Sequence, residues 1–353
     1  MRFTLTRSYI GRRPRRFMSS IATSVVCLTA LLSSAASSQD VASFYNGKTV
    51  RIVVGFSPGG GYDQYARLVA RHIGRHIPGN PAVVVQNMPG SASLKSVQYL
   101  DAGAPTDGTT ITTFDQGLIT QSITSPDKVP LKFLNYPWIG AASQDFRVCY
   151  VWNGRGVSNW KDFVAKENIR FGNTGVGTSA YVDNRILSEL LGAKIHQVQG
   201  YPGSADKRLA IERGELDGDC GSWTSVPEDW VKGKKIALLV RFSHNRLPAM
   251  PESMAYAADL LTDAKKKETF ALLTAGAMIG RPFIAPRGVP ADRVAALQKA
   301  FAATMKDPEF VTEAEKQQLP IIPMAAAEIE GTIRKLYQTP PDIVAAAKEI
   351  TGN

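Results

Sequence analysis

Two glycine-rich loops are the features of this sequence whose residue types and spacing are suited to binding a ligand. The first, GFSPGGG, runs from Gly55 to Gly61, and the second, GNTGVGTS, runs from Gly172 to Ser179. Each follows a strand pattern and precedes a helical one, so its backbone N–H groups and the helix dipole favour an anion. Glycine also lets a ligand approach the backbone closely. The alternative interpretation is that both loops are tight turns without a ligand.

Neither loop carries a signature of nucleotide binding or catalysis. The dinucleotide fingerprint G-x-G-x-x-G fails because Gln64 stands at its third glycine position, and no P-loop lysine follows either loop. The nucleophile elbow and the H-E-x-x-H motif are also missing. His72 and His76, four residues apart, could hold a metal, but a solvated helix flank is the simpler interpretation. We therefore expect no catalytic residue, no metal and no cofactor.

Side chains beside the loops have both a structural and a ligand-binding interpretation. Asp63 can cap the helix after the first loop or contact a donor group on a ligand. Tyr62 and Tyr181 begin the two helices at equivalent places. Each ring can pack in the core, or it can form a cleft wall with its hydroxyl on the ligand.

The elements that must position these loops alternate between strands and helices. Val50–Val54 is a β-branched run typical of a buried parallel strand, and apolar residues at helical spacing follow the first loop. A second unit of strand, glycine loop and helix begins at Ile169. This alternation predicts an α/β fold. Because the chain is longer than one core usually serves, we expect two lobes, each with its own glycine loop.

The N-terminus has the order of a secretory signal peptide. Six arginines without an acidic residue precede an apolar run over Ile21–Leu32, and small residues continue to Ser38. Removal of residues 1–38 lowers the formal charge from +10 to about +4 and leaves no concentrated basic patch, so we expect no nucleic-acid partner. Cys149 and Cys220 remain, and either one disulfide or two buried thiols fits their number.

Five motifs in order resemble the solute receptors of tripartite tricarboxylate transporters, the Bug or TctC family. They are VRIVVGFSPGGGYDQYAR at Val50–Arg67, NMPG at Asn87–Gly90, APTDGT at Ala104–Thr109, FGNTGVGTS at Phe171–Ser179 and PRGVPAD at Pro286–Asp292. The resemblance spans nearly all of the chain after the signal peptide. The sequence departs from the family pattern at Tyr181, where many members have histidine, and around Gly200–Asp206. The resemblance therefore does not specify the substrate.

The resemblance implies a type II periplasmic-binding-protein fold, in which a hinge joins two α/β lobes and the ligand lies in the cleft between them. Lobe I would comprise residues 40–142 and 247–353, and lobe II residues 143–246. Backbone groups of both loops, partly through water, would hold a ligand carboxylate. The residues expected to bind the ligand are Ser57, Gly59, Gly60, Gly61, Tyr62, Asp63, Phe114, Asp115, Asn173, Thr174, Gly175, Gly177, Thr178, Ser179, Tyr181 and Tyr201.

The function that the resemblance implies is solute capture without chemistry. A periplasmic monomer would bind a small carboxylate-containing ligand and deliver it to the membrane subunits of a tripartite tricarboxylate transporter. The alternative is a ligand-sensing co-receptor for a signalling system that has no dedicated transporter.

Overall fold

The computed structural model describes residues 1–4 and 40–352. Residues 5–38 of the predicted signal peptide therefore lie outside the described residues. Beyond residue 40 the chain forms two β-sheets with helices packed on them, which confirms the predicted α/β class. In the described part of the chain, no helix is long and apolar enough to cross a membrane.

The strands of both sheets are numbered in chain order. They are β1 Thr49–Val54, β2 Ala82–Asn87, β3 Thr110–Thr113, β4 Trp138–Ala141, β5 Arg147–Trp152, β6 Ile169–Gly172, β7 Ile195–Val198, β8 Gly218–Ser222, β9 Ile236–Arg241, β10 Ala255–Tyr256 and β11 Pro282–Ile284. The predicted strand–loop–helix units are confirmed, with β1 before the first glycine loop and β6 before the second.

The helices pack on the sheets through apolar faces. They are α1 Gly61–Ile73, α2 Leu94–Ala102, α3 Gly117–Thr124, α4 Trp160–Ala165, α5 Ser179–Arg185, α6 Ser204–Glu212, α7 Glu228–Lys232, α8 Ala264–Thr274, α9 Gly276–Ile279, α10 Ala291–Thr304, α11 Pro308–Lys316, α12 Ala326–Leu336 and α13 Pro341–Thr351. In α1 the helical spacing predicted from the sequence buries Ala66, Val69 and Ile73, while Arg67 and Arg71 are exposed on the other face.

The first sheet has the strand order β2-β1-β3-β11-β4. Strand β1 pairs in parallel with β2 and β3, whereas β11 runs antiparallel to its neighbours. The carboxyl ends of β1, β2 and β3 therefore meet at one edge of the sheet, which is where ligands bind in open α/β sheets. The first glycine loop begins at this edge.

The second sheet has the order β10-β9-β5-β8-β6-β7, and β6 is parallel to both β7 and β8. The second glycine loop leaves the carboxyl end of β6. Strands β5 and β8 are antiparallel with Cys149 directly opposite Cys220, and a disulfide joins the two residues. The register of these two strands thus decides a pairing that the sequence left open.

Two short segments carry the chain between the sheets and bond to each other. Arg281 N donates to Ser143 O at 2.9 Å, and Asp145 N donates to Ala277 O at 2.8 Å. Gly280 lies between them at φ +64°, and a Cβ there would stand 2.3 Å from Ser143 O. Only glycine fits this crossing without displacing the backbone.

The second sheet takes more of the C-terminal half than the sequence predicted. Strand β10, which was assigned to lobe I, pairs in parallel with β9 in the second sheet. Phe270 of α8 and Ile343 of α13 also lie in the apolar core of that sheet. The remaining lobe boundaries stay a prediction.

Candidate ligand-binding site

The first glycine loop is shaped by its own aspartate. Asp63 is buried, and its carboxylate accepts from Gly59 N at 2.9 Å, from Arg67 Nε at 2.9 Å and from Asn87 Nδ2 at 2.8 Å. Burial alone would raise the pKa of Asp63, but Arg67 and the Gly59 N–H hold it below its ordinary value. Asp63 therefore organises the loop, and its oxygens are occupied by the protein.

The two glycine loops end in different ways. Gly60 is the N-cap of α1 and has no side chain to accept from the first amides of that helix. In the second loop, by contrast, the Thr178 side chain accepts from Tyr181 N and caps α5. On the side of the second sheet, α6 also starts without a side-chain cap, because its N-cap is Gly203.

A cavity of about 40 Å³ lies between the two sheets and is called here the polar chamber. The start of α1 faces the start of α6 across it, since a Cβ on Gly60 would stand 3.6 Å from Ser204 N. Two helix N-termini thus direct partial positive charge at one small space. The lining residues are Phe56, Gly60, Gly61, Tyr62, Asp115, Arg147, Thr174, Ala180, Ser204, Lys207, Cys220, Gly221, Ser222, Ser225 and Arg281.

Three buried cations line the polar chamber, and each is paired with an aspartate. Arg281 Nη2 lies 2.9 Å from Asp145 Oδ1, and Lys207 Nζ lies 2.5 Å from Asp219 Oδ1. Arg147 bridges Asp145 at 3.1 Å and Asp183 at 2.6 Å. Such pairs offset the cost of burying charge without leaving a net positive surface.

The carboxylates of this network differ in proton affinity. Burial raises the pKa of Asp183 to about 6, outweighing the opposing effect of Arg147. Burial acts in the same direction on Asp145, but Arg281 and Arg147 together hold the pKa of that carboxyl below its ordinary value. Asp183 is thus the member of the pair whose charge changes closest to neutral pH.

Two residues that line the polar chamber each have a buried polar atom without a partner. Ser225 Oγ and Arg281 Nε find no hydrogen-bond partner within residues 40–352. Buried polar atoms are usually bonded, so these two are exceptions among the residues around the chamber. The Arg281 guanidinium also lies 4.5 Å from the centre of the Tyr62 ring, which holds it in place.

A second cavity of about 350 Å³ adjoins the first and is called here the neutral chamber. Phe56 and Thr174 line both cavities. Ser91, Ala92 and Ser93 form one wall with φ of 47°, 55° and 76°, values that are unfavourable for residues other than glycine. The lining residues are Gly55, Phe56, Pro89, Gly90, Ser91, Ala92, Ser93, Thr174, Gly200, Tyr201 and Pro202.

Some of the residues predicted to bind the ligand line a chamber, and others support the loops. Gly60, Gly61, Tyr62, Asp115 and Thr174 line the polar chamber, and Tyr201 lines the neutral one. The supporting residues line neither cavity, and they are Ser57, Gly59, Asp63, Asn173, Gly175, Gly177, Thr178 and Ser179. Ser179 shows this role clearly, since its hydroxyl donates to Asp115 Oδ1 at 2.6 Å.

Two further predicted site residues line neither chamber and have partners within the protein. Phe114 is fully buried and stacks on Phe133 with ring centres 5.1 Å apart, so it is a core residue. The Tyr181 hydroxyl donates to Thr351 O at 2.7 Å and lies away from both chambers. Helical periodicity correctly placed Tyr181 at a helix start, but it did not indicate that the ring turns toward the C-terminal helix.

Sequence reasoning missed the cations of the polar chamber. Arg147, Lys207 and Arg281 lie on β5, on α6 and just before β11, far apart along the chain. No motif joins them. One sequence feature could have indicated a buried cation: a basic residue within a run of apolar and small residues, as for Arg281 in AMIGRPFIAP.

The histidines of α1 and its continuation are not on a solvated flank, in contrast to the simpler interpretation of the sequence. His72 is buried and its Nε2 lies 2.6 Å from Glu313, while His76 Nε2 lies 2.7 Å from Asp307. His72, Asp307 and Glu309 are close enough together to hold a metal ion. Arg75, however, hydrogen-bonds to all three of them, so a guanidinium occupies the centre of the group.

The largest of the described cavities, about 730 Å³, lies elsewhere. Its walls come from residues 223–232, 247–249 and 311–321, and they include none of the predicted site residues. The glycine loops, the helix N-termini and the buried cations all converge on the two smaller chambers.

Known proteins resemble this chain in sequence and in fold. No family model matches the chain. Over 277 residues it is 27% identical to the UPF0065 protein in the tcbD-tcbE intergenic region of Pseudomonas sp. strain P51, covering 75% of this chain and 76% of that one. The structure of periplasmic binding protein BugD superposes with a TM-score of 0.69 at 18% identity, over 87% of this chain and 98% of BugD.

This chain has the fold of a Bug-type periplasmic binding protein. The resemblance inferred from the five sequence motifs is thereby confirmed. Another protein with the Bug-type fold, MatC from Rhodopseudomonas palustris with bound malate, superposes with a TM-score of 0.69 at 18% identity, over 84% of this chain and 99% of MatC. The two-lobe architecture of these proteins is the one that the two sheets form here.

Proposed function

We propose that this protein is a periplasmic solute-binding protein that captures a small carboxylate-containing ligand and does not transform it. The observation that carries the proposal is the polar chamber, where the uncapped starts of α1 and α6 face each other beside Arg281. A carboxylate there would accept from the backbone amides at the starts of both helices, with the Arg281 guanidinium beside it.

The volume of the polar chamber and the fold shared with a malate-bound protein support the same class of ligand. A cavity of about 40 Å³ has room for no more than about three water-sized groups, which is the size of one carboxylate. MatC, which shares the fold, holds malate. The signal-peptide pattern at the N-terminus supports export, so we assign the protein to the periplasm. We propose that it acts there as a monomer. We further propose that the protein delivers its ligand to the membrane subunits of a tripartite tricarboxylate transporter.

A charge placed on Gly60 tests the chamber directly. Gly60 has φ −87°, and an added Cβ would meet only ordinary contacts, so a side chain fits without backbone strain. Gly60→Asp sets a carboxylate where the ligand carboxylate should lie, and two like charges about 4 Å apart repel by about 4 kcal/mol at an effective dielectric of 20. We expect affinity for every carboxylate ligand to fall by roughly a hundredfold or more.

The measurement is a thermal-shift screen of mono-, di- and tricarboxylates, followed by calorimetry on the acids that bind. Gly60→Asn is the matched control, since it has the same shape without the charge: the loss of affinity that both variants share measures steric blocking, and the further loss in Gly60→Asp measures charge repulsion. A folded Gly60→Asp protein that binds as well as the natural protein would refute the polar chamber as the anion site. A screen in which no carboxylate binds would refute the function itself.

A further inference from the structure

The two chambers differ in charge as much as in size. Arg147, Lys207, Arg281 and Asp115 line the polar chamber, whereas the lining of the neutral chamber within the described residues holds no ionisable group except the Tyr201 phenol. The neutral chamber offers small and apolar groups, such as Phe56 and Ala92, together with the hydroxyls of Ser91 and Thr174. The site therefore has one charged end and one uncharged end.

We propose that the ligand is a monocarboxylate with an extended uncharged body, which places its carboxylate in the polar chamber and its body in the neutral chamber. This inference rests on the proposed function and adds the substrate class to it. A compact di- or tricarboxylate would leave the larger cavity unfilled, and an extended dicarboxylate would bring its second charge into a cavity whose walls hold no cation. Entering this cavity costs a second carboxylate part of its hydration, and no cation on the walls offsets that loss, so the second charge disfavours such ligands.

The size of the neutral chamber fits this division. At about 350 Å³ the neutral chamber is almost nine times as large as the polar chamber, so by the same measure it has room for the larger part of the ligand. Phe56 stands where the chambers meet, and its ring is stacked on Tyr62 with centres 4.9 Å apart. An apolar body that leaves the polar chamber would therefore pass an aromatic surface.

The wall formed by Ser91, Ala92 and Ser93 supports a binding role for the neutral chamber. Three consecutive residues other than glycine are held at positive φ there, and the Ser93 hydroxyl accepts from Asp115 N at 3.1 Å. A Cβ on Gly175 of the second loop would stand 3.5 Å from the Ala92 methyl, so the wall closes against the other lobe. Consecutive backbone conformations of this kind cluster at ligand-binding and active sites.

Two matched pairs of acids test the proposal on the full mature protein. Hexanoate and adipate have the same number of carbon atoms, and adipate has a second carboxylate. In the other pair, terephthalate is benzoate with a second carboxylate. Calorimetry should show that each monocarboxylate binds at least tenfold more tightly than its dicarboxylate partner. The result that overturns the inference is equal or tighter binding of adipate and terephthalate.

A variant that adds a cation to the neutral chamber provides the second test. Ser91 is exposed and already has a left-handed backbone, so Ser91→Lys changes the charge of the wall without new backbone strain. It should reduce the preference for hexanoate over adipate by about tenfold, while Ser91→Gln, which is uncharged and of similar reach, should leave the preference unchanged. Equal effects of Ser91→Lys and Ser91→Gln would show that the ligand body lies elsewhere and would overturn the inference.

The outcomes separate this inference from the proposed function. If the dicarboxylates bind better and Gly60→Asp abolishes their binding, the protein is a carboxylate receptor and the inference about the uncharged body is wrong. If neither pair binds and other carboxylates do, the inference is also wrong. If no carboxylate binds at all, both proposals fail together.

Discussion

At the scale of single residues, a carboxyl group that contacts the lining of the polar chamber changes charge near neutral pH. Asp183 contacts Arg147, which lines the chamber, and burial raises the pKa of Asp183 from 3.8 to about 6. Asp145, the other partner of Arg147, keeps a lowered pKa and stays ionised. Protonation of Asp183 therefore removes one negative charge beside Arg147 and leaves that cation freer to attract a ligand anion.

Carboxylate binding should accordingly tighten as the pH falls from 7.5 to 5.5. We expect a gain of roughly threefold to tenfold, which is what removing one charge at about 8 to 10 Å gives at an effective dielectric of 20 with screening by salt. Asp183→Asn resembles the protonated form and should bind with little pH dependence over this range. Calorimetry at four pH values is the measurement, and an equal slope in both proteins would contradict this role of Asp183.

The same proton has a consequence for stability. Because the folded-state pKa of Asp183 is raised, its contribution to stability is fully present below about pH 4 and is lost as the pH rises through about 6. Thermal unfolding without ligand should thus show a smaller loss of stability between pH 5 and 7 in Asp183→Asn than in the natural sequence.

At the scale of elements, a cluster of charges around Asp307 joins α11 to Gly74–His76, the 3₁₀ turn that continues α1. Asp307 Oδ1 accepts from Glu309 N at 2.9 Å and caps α11, while Oδ2 accepts from Arg75 Nε at 2.8 Å and lies 2.7 Å from His76 Nε2. Burial opposes ionisation, but His76, the Glu309 N–H and Arg75 lower the pKa of Asp307 to about 2. One side chain thus combines a helix cap with a contact between two helices.

Two substitutions separate these roles of Asp307. Asp307→Asn keeps the cap and should lower the free energy of unfolding by less than about 1 kcal/mol, whereas Asp307→Ala also loses the cap and should lower it by about 1 kcal/mol more. Urea denaturation at pH 7 measures both. The contribution of the charge is present above about pH 4 and declines toward pH 2, so the natural protein should approach Asp307→Asn in acid. Equal stability of the two variants would show that the cap contributes nothing.

The disulfide between β5 and β8 is a second link between elements. Cys149 and Cys220 are 71 positions apart, so the bond closes a long loop in the unfolded chain. Replacing both cysteines by alanine should lower the free energy of unfolding by about 2 to 4 kcal/mol. Denaturation of this double variant and of the oxidised natural protein, side by side, is the measurement. An unchanged midpoint would mean that the bond does not stabilise the fold.

At the scale of the whole molecule, the lobes touch across the cleft through a few polar contacts. Ser57 Oγ donates to Asp206 Oδ2 at 2.6 Å, and Arg208 Nη2 donates to Gly59 O at 3.2 Å. Such contacts are weak individually, so a ligand held by both lobes would add much of the closing free energy. The short crossing segments at residues 142–146 and 280–281 are where the chain would bend.

We therefore expect ligand binding to close the molecule. X-ray scattering with saturating ligand should give a smaller radius of gyration than the free protein. Ser57→Ala removes the hydroxyl bonded to Asp206 and should weaken ligand binding severalfold by destabilising the closed form. An unchanged scattering profile, with binding proven by calorimetry, would contradict a cleft that closes on its ligand.

The sequence by itself determined the local units of this protein. Strand β1, the first glycine loop and α1 follow from apolar runs, glycine conformational freedom and helical spacing, which are properties of neighbouring residues. The same is true of β6, the second loop and α5. The order of the motifs also indicated the family fold, which the structure confirmed.

Only the tertiary structure decided which side chains meet in the chambers. Arg147, Lys207 and Arg281 converge because strand order and helix packing bring distant elements together, and local periodicity carries no information about such contacts. Tyr181 bonds to a carbonyl 170 positions away, and Cys149 faces Cys220 through the register of two antiparallel strands. Side-chain partners depend on the packing of whole elements, whereas helices and loops depend on the residues next to them.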